Sequence, residues 1–298
     1  MTFELFKHKA LKLLRNPAIL LDKLFYLIND KLPDKTFIIV KYWLRNKSWL
    51  NLKKPRTFNE KMQWLKLYGH RPEYTIMADK YRVKNYVTER IGSEYVIPCL
   101  GVWENASDIN FDILPSQFVL KCNHDSGGVF VCKDKKDFDI EKVKEQLQKN
   151  LNVNYFSSGR DKQYRDIERL VFAEAYIDDG RQGELQDYKF WCFNGVPKYM
   201  YITNKGSKIF ENFYDMDFNV VDIKHGSERR IPEYTVPAEF EQMKSLATRL
   251  STGIPFVRID FYDVNGHIYF GEYTFFDWGG FKAFGDNWDT ELGKLIII

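Results

Sequence analysis

Residues 256–275 read FVRIDFYDVNGHIYFGEYTF, and no other stretch limits the fold as much. Aromatic and β-branched residues dominate it and DVNG breaks its middle, which predicts two antiparallel strands joined by a tight turn. Arg258, Asp260 and Glu272 interrupt the apolar pattern. A carboxylate in a half-buried strand is costly unless a cation pairs with it. What these acids hold therefore decides which way the strands face.

Turn chemistry sets the register. Asp263 at the first turn position and Gly266 at the fourth predict a three-residue loop with a glycine bulge. That loop pairs Asp263 with His267, Asp260 with Phe270 and Arg258 with Glu272. Arg258, Asp260, Glu272 and Thr274 then share one face. A two-residue Asn-Gly loop would instead set Asp260 against Gly271 and separate the acids. Two carboxylates and an arginine on one rigid face suit Mg²⁺ carrying phosphate, because Mg²⁺ takes one or two protein carboxylates plus phosphate oxygens. Arginine can clamp a transferring phosphate. A purely structural Arg–Asp–Glu network fits the same residues.

The chain has 298 residues, 44% hydrophobic and 29% charged, enough for two lobes around a substantial core. Its net charge of +3 hides an asymmetry. Residues 1–56 hold thirteen Lys/Arg and four Asp/Glu, a net of +9 that leaves −6 for the rest. Charges interrupt every apolar run there, so none reaches the ~18 residues of a membrane span. Two readings stay open for this basic stretch: a helical cap on the main body, or peripheral contact with an anionic membrane surface. Cys99, Cys122, Cys132 and Cys192 lack metal-ligand spacing, and no signal-peptide pattern is visible. Reduced thiols in a cytoplasmic protein, at the inner face of the membrane if residues 1–56 bind it, are the expectation. No nucleic-acid partner is expected.

Along the chain, residues 3–15, 17–30 and 36–46 read as helices. Thr57 and Glu60 form a capping-box signature, ADKYRVKNYVTERIG reads as a charged helix stopped by Gly92, and YVIPCLGVWE as a strand. QFVLKCNHDSGGVFVCKD reads as strand, glycine loop, strand; FDIEKVKEQLQKNL as a helix; RLVFAEAYID as a strand; DYKFWCFNGVPKYMYIT as a hairpin turning at Asn194-Gly195. Residues 210–218 look extended and 237–252 helical. Mixed helices and hairpins predict an α+β fold rather than a doubly wound parallel sheet.

FVLKCNHDSGGVFV supplies what the acids lack. Lys121 closes an apolar strand, and Ser126, Gly127 and Gly128 form a loop whose backbone can approach phosphate oxygens closely. Neither the P-loop nor the dinucleotide pattern is present, and an ordinary hairpin explains these residues equally. His124 and Asp125 read either as substrate contacts or as ordinary loop residues. Arg160, Lys162 and Arg165 beside Tyr164 read either as an anion-binding segment or as a solvated loop.

ADKYRVKNYV, LPSQFVLKCNHDSGG, FAEAYI, LQDYKFWCFNG and FVRIDFYDVNGHIYFGEYTFF, in this order, resemble the TupA-like ATP-grasp family of bacterial surface-polysaccharide biosynthesis. The resemblance covers about residues 50–298. It implies two α+β lobes sandwiching a nucleotide: a basic helical extension (1–56), a segment carrying Lys80 (57–115), a lobe with Lys121 and the glycine loop (116–177), and a lobe with the metal acids (178–298). It implies that Lys80 and Lys121 bind ATP phosphates, that Ser126, Gly127 and Gly128 fold over them, and that Glu174, Ala175 and Ile177 read adenine. It further implies that Asp187 contacts ribose, that Arg258 binds the transferred phosphate, and that Asp260 and Glu272 hold Mg²⁺. The E-x-N triplet usual among ATP-grasp enzymes in general is replaced by Glu272-Tyr273-Thr274, and FFDWGGF puts Asp277 and Trp278 nearby. Asp277 then stands as a third metal ligand or an acceptor contact.

The resulting expectation is an ATP-dependent carboxylate–amine ligase acting through an acylphosphate, with ATP and Mg²⁺ as cofactors. Its partners would be small-molecule or saccharide carboxylates and amines, lipid-linked if the basic N-terminus meets a membrane. A metal-dependent glycosyltransferase using Asp215 and Asp217 as D-x-D, a phosphotransferase on the same scaffold, and a membrane-associated scaffold that binds nucleotide without turnover are the alternatives.

Overall fold

Period-two alternation of large apolar residues builds two antiparallel sheets. In the first, β1 (Cys99–Trp103), β2 (Phe118–Cys122), β3 (Val129–Cys132) and β4 (Val171–Ala175) lie in the order β1-β4-β2-β3. In the second, β5 (Asp187–Phe193), β6 (Val196–Thr203), β7 (Glu211–Asp215), β8 (Val220–Val221), β9 (Phe256–Val264) and β10 (His267–Thr274) lie in the order β10-β9-β5-β6-β7-β8. This is a computed structural model, and it describes residues 25, 31–180, 185–203, 211–223 and 234–298. Apart from Phe25, the helices expected over 3–15 and 17–30 lie outside the described residues. With helices α1 (Asp34–Asn46), α2 (Phe58–Tyr68), α3 (Glu73–Ala78), α4 (Val83–Ile91), α5 (Ile140–Leu151), α6 (Tyr155–Gly159), α7 (Phe240–Ser251) and α8 (Trp288–Leu295), the α+β expectation holds.

The larger sheet is covered on both faces. Tyr188, Phe190 and Cys192 point to one face, with Ile259 and Phe261, and pack under α3, α4 and α7 through Met77, Val87 and Leu246. Trp191, Phe193 and Phe256 point to the other and pack on Phe58 and Met62 of α2 and Leu292 of α8. The smaller sheet buries Leu120, Val171 and Ala173 against Val143 and Leu147 of α5. The capping box at Thr57 and Glu60 starts α2 as its residues predict. The β5–β6 turn takes Asn194 and Gly195 at φ 50° and 83°. All four cysteines are free thiols.

The β9–β10 hairpin corrects the expected register. Its loop has two residues, Asn265 and Gly266, both in the left-handed region (φ 53° and 85°), so Val264 pairs with His267. Such a turn matches the twist of the strands it joins. Continued regularly, that pairing would set Gly271 against Asp260 and turn Glu272 away. A bulge between Phe270 and Glu272 skips Gly271 instead, so Glu272 faces Asp260 and Thr274 faces Arg258. The expected pairs Asp260–Phe270 and Arg258–Glu272 do not form, yet all four residues reach the expected shared face.

A second correction concerns Lys80, which lies in a turn before α4 rather than within a helix. Asp79 Oδ1 accepts the backbone N–H groups of Tyr81 (2.9 Å) and Arg82 (3.0 Å), and the helix begins only at Val83.

Gly271 is the residue the bulge requires. A Cβ there would sit 3.1 Å from the Asp260 carbonyl and 3.2 Å from the Tyr262 ring. Gly271→Val is therefore expected to lower urea-unfolding stability by about 1–3 kcal/mol. An unchanged unfolding midpoint would show that the bulge has room to spare.

Candidate functional site

A cleft of about 910 Å³ lies over the polar part of the larger sheet. Strand register arranges its floor. Tyr201 on β6 pairs with Lys189 on β5, Lys189 with Asp260 on β9, and Asp260 with Glu272 on β10. Directly opposed residues share a face, so these four polar groups form one row across four strands. The next row carries Trp191, Arg258 and Thr274.

Arg258 ties the rows together. It donates to Asp260 through Nε (2.7 Å) and Nη2 (2.8 Å), a two-pronged contact. Nη2 also reaches Glu272 Oε1 (2.7 Å), and Nη1 reaches Asp277 Oδ1 (2.7 Å) and the Tyr201 hydroxyl (3.1 Å). Lys189 Nζ bridges Asp260 (2.6 Å) and Asp187 (3.1 Å). Asp277 is buried, and its Oδ2 accepts from Trp191 Nε1 (3.0 Å) and Tyr201 (3.1 Å). Asp277 thus acts as the back anchor of Arg258, where the sequence suggested a third metal ligand or an acceptor contact.

The acid pair is electrostatically uneven. Burial raises the Asp260 carboxyl above its ordinary value against the pull of Arg258 and Lys189. Burial would also raise Glu272, but Arg258, Lys189 and Lys80 bring it down to about 2. The Glu272 side chain is 38% exposed toward the cleft, whereas Asp260 lies beneath Arg258. The cluster contains two cations, Arg258 and Lys189, and four carboxylates, those of Asp187, Asp260, Glu272 and Asp277. Its formal excess of two negative charges complements a divalent cation. Among the described residues no three His, Cys, Asp or Glu groups converge as a ready-made metal cage. Two carboxylates are nonetheless what Mg²⁺ takes when phosphate supplies further oxygens, so the donor set fits.

The facing wall comes from the turn before α4 and the β2–β3 loop. Buried Asn123 locks the two together, donating to Asp79 (2.9 Å) and Glu168 O (2.8 Å) while its carbonyl accepts from Lys80 N (3.0 Å). The Lys80 ammonium consequently lies on the Asp125 carbonyl, and Lys80, Asp125 and Ser126 line the cleft. Gly127 takes φ 95°, and a Cβ on Gly128 would fall 2.2 Å from Asp125 Oδ2. His124 is buried against the Val153 carbonyl (3.2 Å), which makes it a loop-packing residue.

The remaining expected residues lie apart from the cleft lining. Lys121 and Lys84 both bind the buried Glu174 carboxylate. Burial would raise the Glu174 pKa, but the two lysines hold it below its ordinary range. The Ala175 N–H donates to Pro98 O (2.9 Å), and Ile177 follows the strand half-buried. Arg160, Lys162 and Arg165 are not a solvated loop. Arg160 and Arg165 pair with Asp34 (3.3 and 2.7 Å), and Lys162 donates to Leu67 O (2.8 Å), tying the segment to α1 and α2. Asp215 accepts from the N–H groups of Asp217 (3.0 Å) and Asn219 (2.8 Å), so the D-x-D triplet shapes a turn. Lys189 is a site residue that sequence reasoning did not single out. The D-Y-K alternation alone puts Lys189 on the Asp187 face, but only the register with β9 brings it to Asp260.

Glu174 and Glu272 are both depressed in the folded chain, so their stabilising share is present above about pH 4.5 and is lost as pH falls toward the folded values. Exposure screens the share of Glu272. Glu174→Gln strands two lysines and is expected to cost about 3 kcal/mol at neutral pH. It should also flatten the acid limb of a stability–pH curve followed by urea unfolding. A variant curve parallel to that of the parent would rule out this role.

The sequence matches the family model described as TupA-like ATPgrasp over residues 60–297. No curated protein matches it. Among solved structures it is similar to D-alanine–D-alanine ligase from Bacillus anthracis complexed with ATP (18% identity, TM-score 0.41, 67% of this chain and 55% of that one). It is also similar to the Helicobacter pylori D-alanine–D-alanine ligase (16%, TM-score 0.45, 80% and 69%) and to the ATP-grasp ligase PsnB complexed with minimal precursor (8%, TM-score 0.40, 68% and 54%). The chain spans little more than half of the Bacillus anthracis and PsnB chains.

Proposed function

The chain belongs to the TupA-like ATP-grasp family, and from that premise we propose that it is an ATP-dependent carboxylate–amine ligase. The observation that carries this reading is the pairing of an arginine-bound acid row on β9 and β10 with Lys80, Asp125 and Ser126 lining the same cleft. The first supplies excess negative charge where a metal sits, the second supplies cations and backbone N–H groups where phosphates sit.

In this reading a substrate carboxylate oxygen attacks the γ-phosphorus of ATP, the β–γ bridging bond breaks, and ADP leaves. An amine then attacks the acyl carbon, inorganic phosphate leaves, and the nitrogen loses a proton to give an amide. Arg258 and Lys189 stabilise charge on the transferred phosphoryl group. Lys80 and Lys121 hold the other phosphates under Ser126, Gly127 and Gly128. Glu174, Ala175 and Ile177 receive adenine, and Asp187 receives ribose. Asp260 and Glu272 would hold Mg²⁺, which when bound screens phosphate charge. The family context makes the acceptor a carboxylate on a surface-polysaccharide precursor, joined to an amino acid or other amine. Residues 1–56 would bring the enzyme to a membrane that holds such a precursor. No helix among the described residues is long and apolar enough to cross one.

Mg-ATP is expected to raise the melting temperature of the full chain. ADP release should require both a carboxylate and an amine. Asp260→Ala and Glu272→Ala should abolish turnover, and Arg258→Lys should cut kcat by about 10²-fold or more. Stabilisation by UDP- or GDP-sugar with Mn²⁺, and not by Mg-ATP, would replace this reading with glycosyl transfer. ADP release without any amine would replace it with phosphotransfer.

A further inference from the structure

One buried carboxylate here has two cations. Lys84 Nζ reaches Glu174 Oε1 (2.5 Å), and Lys121 Nζ holds Glu174 Oε2. Strand register arranges the meeting. Val119 on β2 pairs with Glu174 on β4, and Lys121, two residues on, lies on the same face. Lys84 comes from the first turn of α4. Among the described residues neither lysine pairs with a second carboxylate, so two ammonium groups share one acid and the cluster is positive overall. Neutralising Glu174 alone would take one lysine.

The two lysines are not equivalent. Lys84 Nζ also donates to the Ile97 carbonyl (2.7 Å), and its side chain is 12% exposed. Lys121 is 20% exposed, and among the described residues its ammonium donates to Glu174 alone. Lys84 is therefore the anchored cation and Lys121 the movable one. Glu174 also faces the larger sheet. Asp187, burial, Glu272, Asp260 and, from the smaller sheet, Glu174 together raise the Tyr262 hydroxyl well above its ordinary value. The three-residue cluster and the acid row thus look onto the same space.

We propose that Lys84 is a positioning residue for polyphosphate binding: it stays on Glu174 and so frees Lys121 to move onto an anion entering the cleft. The inference rests on the reading that Lys121 binds ATP phosphates, and it adds the residue that permits the move. With Lys84 in place, Lys121 leaves behind a carboxylate that still has a cation. Without it, Lys121 and Glu174 form a closed neutral pair, and departure of the lysine strands a buried charge. Lys84 itself touches no phosphate.

The test is calorimetric titration of the full chain and its variants with magnesium tripolyphosphate. This probe has no adenine, so the base contact proposed for Glu174 does not enter. Lys84→Met should weaken tripolyphosphate binding about tenfold or more. Lys84→Met/Glu174→Gln should bind within about threefold of the parent, because the acid that retains Lys121 is gone. A lysine with a merely structural role is not rescued by removing its partner. If Lys84→Met does not fold, Lys84→Gln, which can still donate to Glu174, takes its place with the same expected outcomes. Parental affinity in the single variant, no recovery in the double variant, or no saturable binding by the parent chain would each overturn the inference. Any of these results, with Mg-ATP still stabilising the parent chain, removes the role of Lys84 and leaves the ligase reading standing. Failure of Mg-ATP to raise the parent's melting temperature removes the ligase reading itself.

Discussion

Everything at this cleft depends on one buried guanidinium. Taking Arg258 out of water is costly, and only well-formed contacts offset that cost. Its donors reach three carboxylates and a tyrosine hydroxyl, and each contact comes from a different element. Asp260 is on its own strand, Glu272 on the neighbouring one, Asp277 in the following turn and Tyr201 two strands away. A planar fork satisfies such a set only in one orientation. The arginine therefore fixes the β9–β10 register, the turn after β10, and the position of the acid pair together. Lysine, a single charge on a flexible stem, would fix none of them.

The same contacts leave the floor negative. Four carboxylates outnumber Arg258 and Lys189 by two, and burial holds the Asp260 carboxyl above its ordinary value despite both cations. Across the cleft Lys80 lies on a backbone carbonyl beside Asp125. Lys121 and Lys84 share Glu174 apart from the lining. A metal-bound polyphosphate carries its charges in the matching order, cation toward the acids and anion toward the lysines. Either wall alone would be an ordinary salt-bridge network; their opposition across one cavity is what favours a metal–nucleotide complex.

How much of this was legible depended on how far apart in sequence the partners lie. The shared face of Arg258, Asp260 and Glu272 could be read because an alternating strand tolerates charges only where they pair. The register could not, since two features cancel. The two-residue Asn265-Gly266 turn moves every pair by one, and the bulge at Gly271 moves those beyond it back. Glycine marks a bulge and a plain strand residue alike, so the sequence does not announce the second shift. Lys80 was legible as a cation near the loop but not as a turn residue, because what delays the helix is the Asp79 side chain accepting the backbone N–H groups of Tyr81 and Arg82 ahead of it. Arg160, Lys162 and Arg165 look like an anion site in sequence. Their partners, Asp34 and the Leu67 carbonyl, are about a hundred residues away, and no local pattern reveals such a contact.

The lysines then suggest how a polyanion enters without an unpaired charge. Lys80, Lys84 and Lys121 each sit on an oxygen of the protein. In the proposed ligase, phosphate oxygens would replace those acceptors of Lys80 and Lys121, so part of the desolvation cost of burying the ammonium groups would be borne in folding rather than at binding. Were Lys121 to leave Glu174, Lys84 would still pair with that carboxylate. A neutral ligand offers no such exchange: it would leave the lysines on their carbonyl and carboxylate partners and the cleft floor two charges negative. Under the proposed function, selectivity for a metal–nucleotide complex over an uncharged competitor would follow from this exchange of partners.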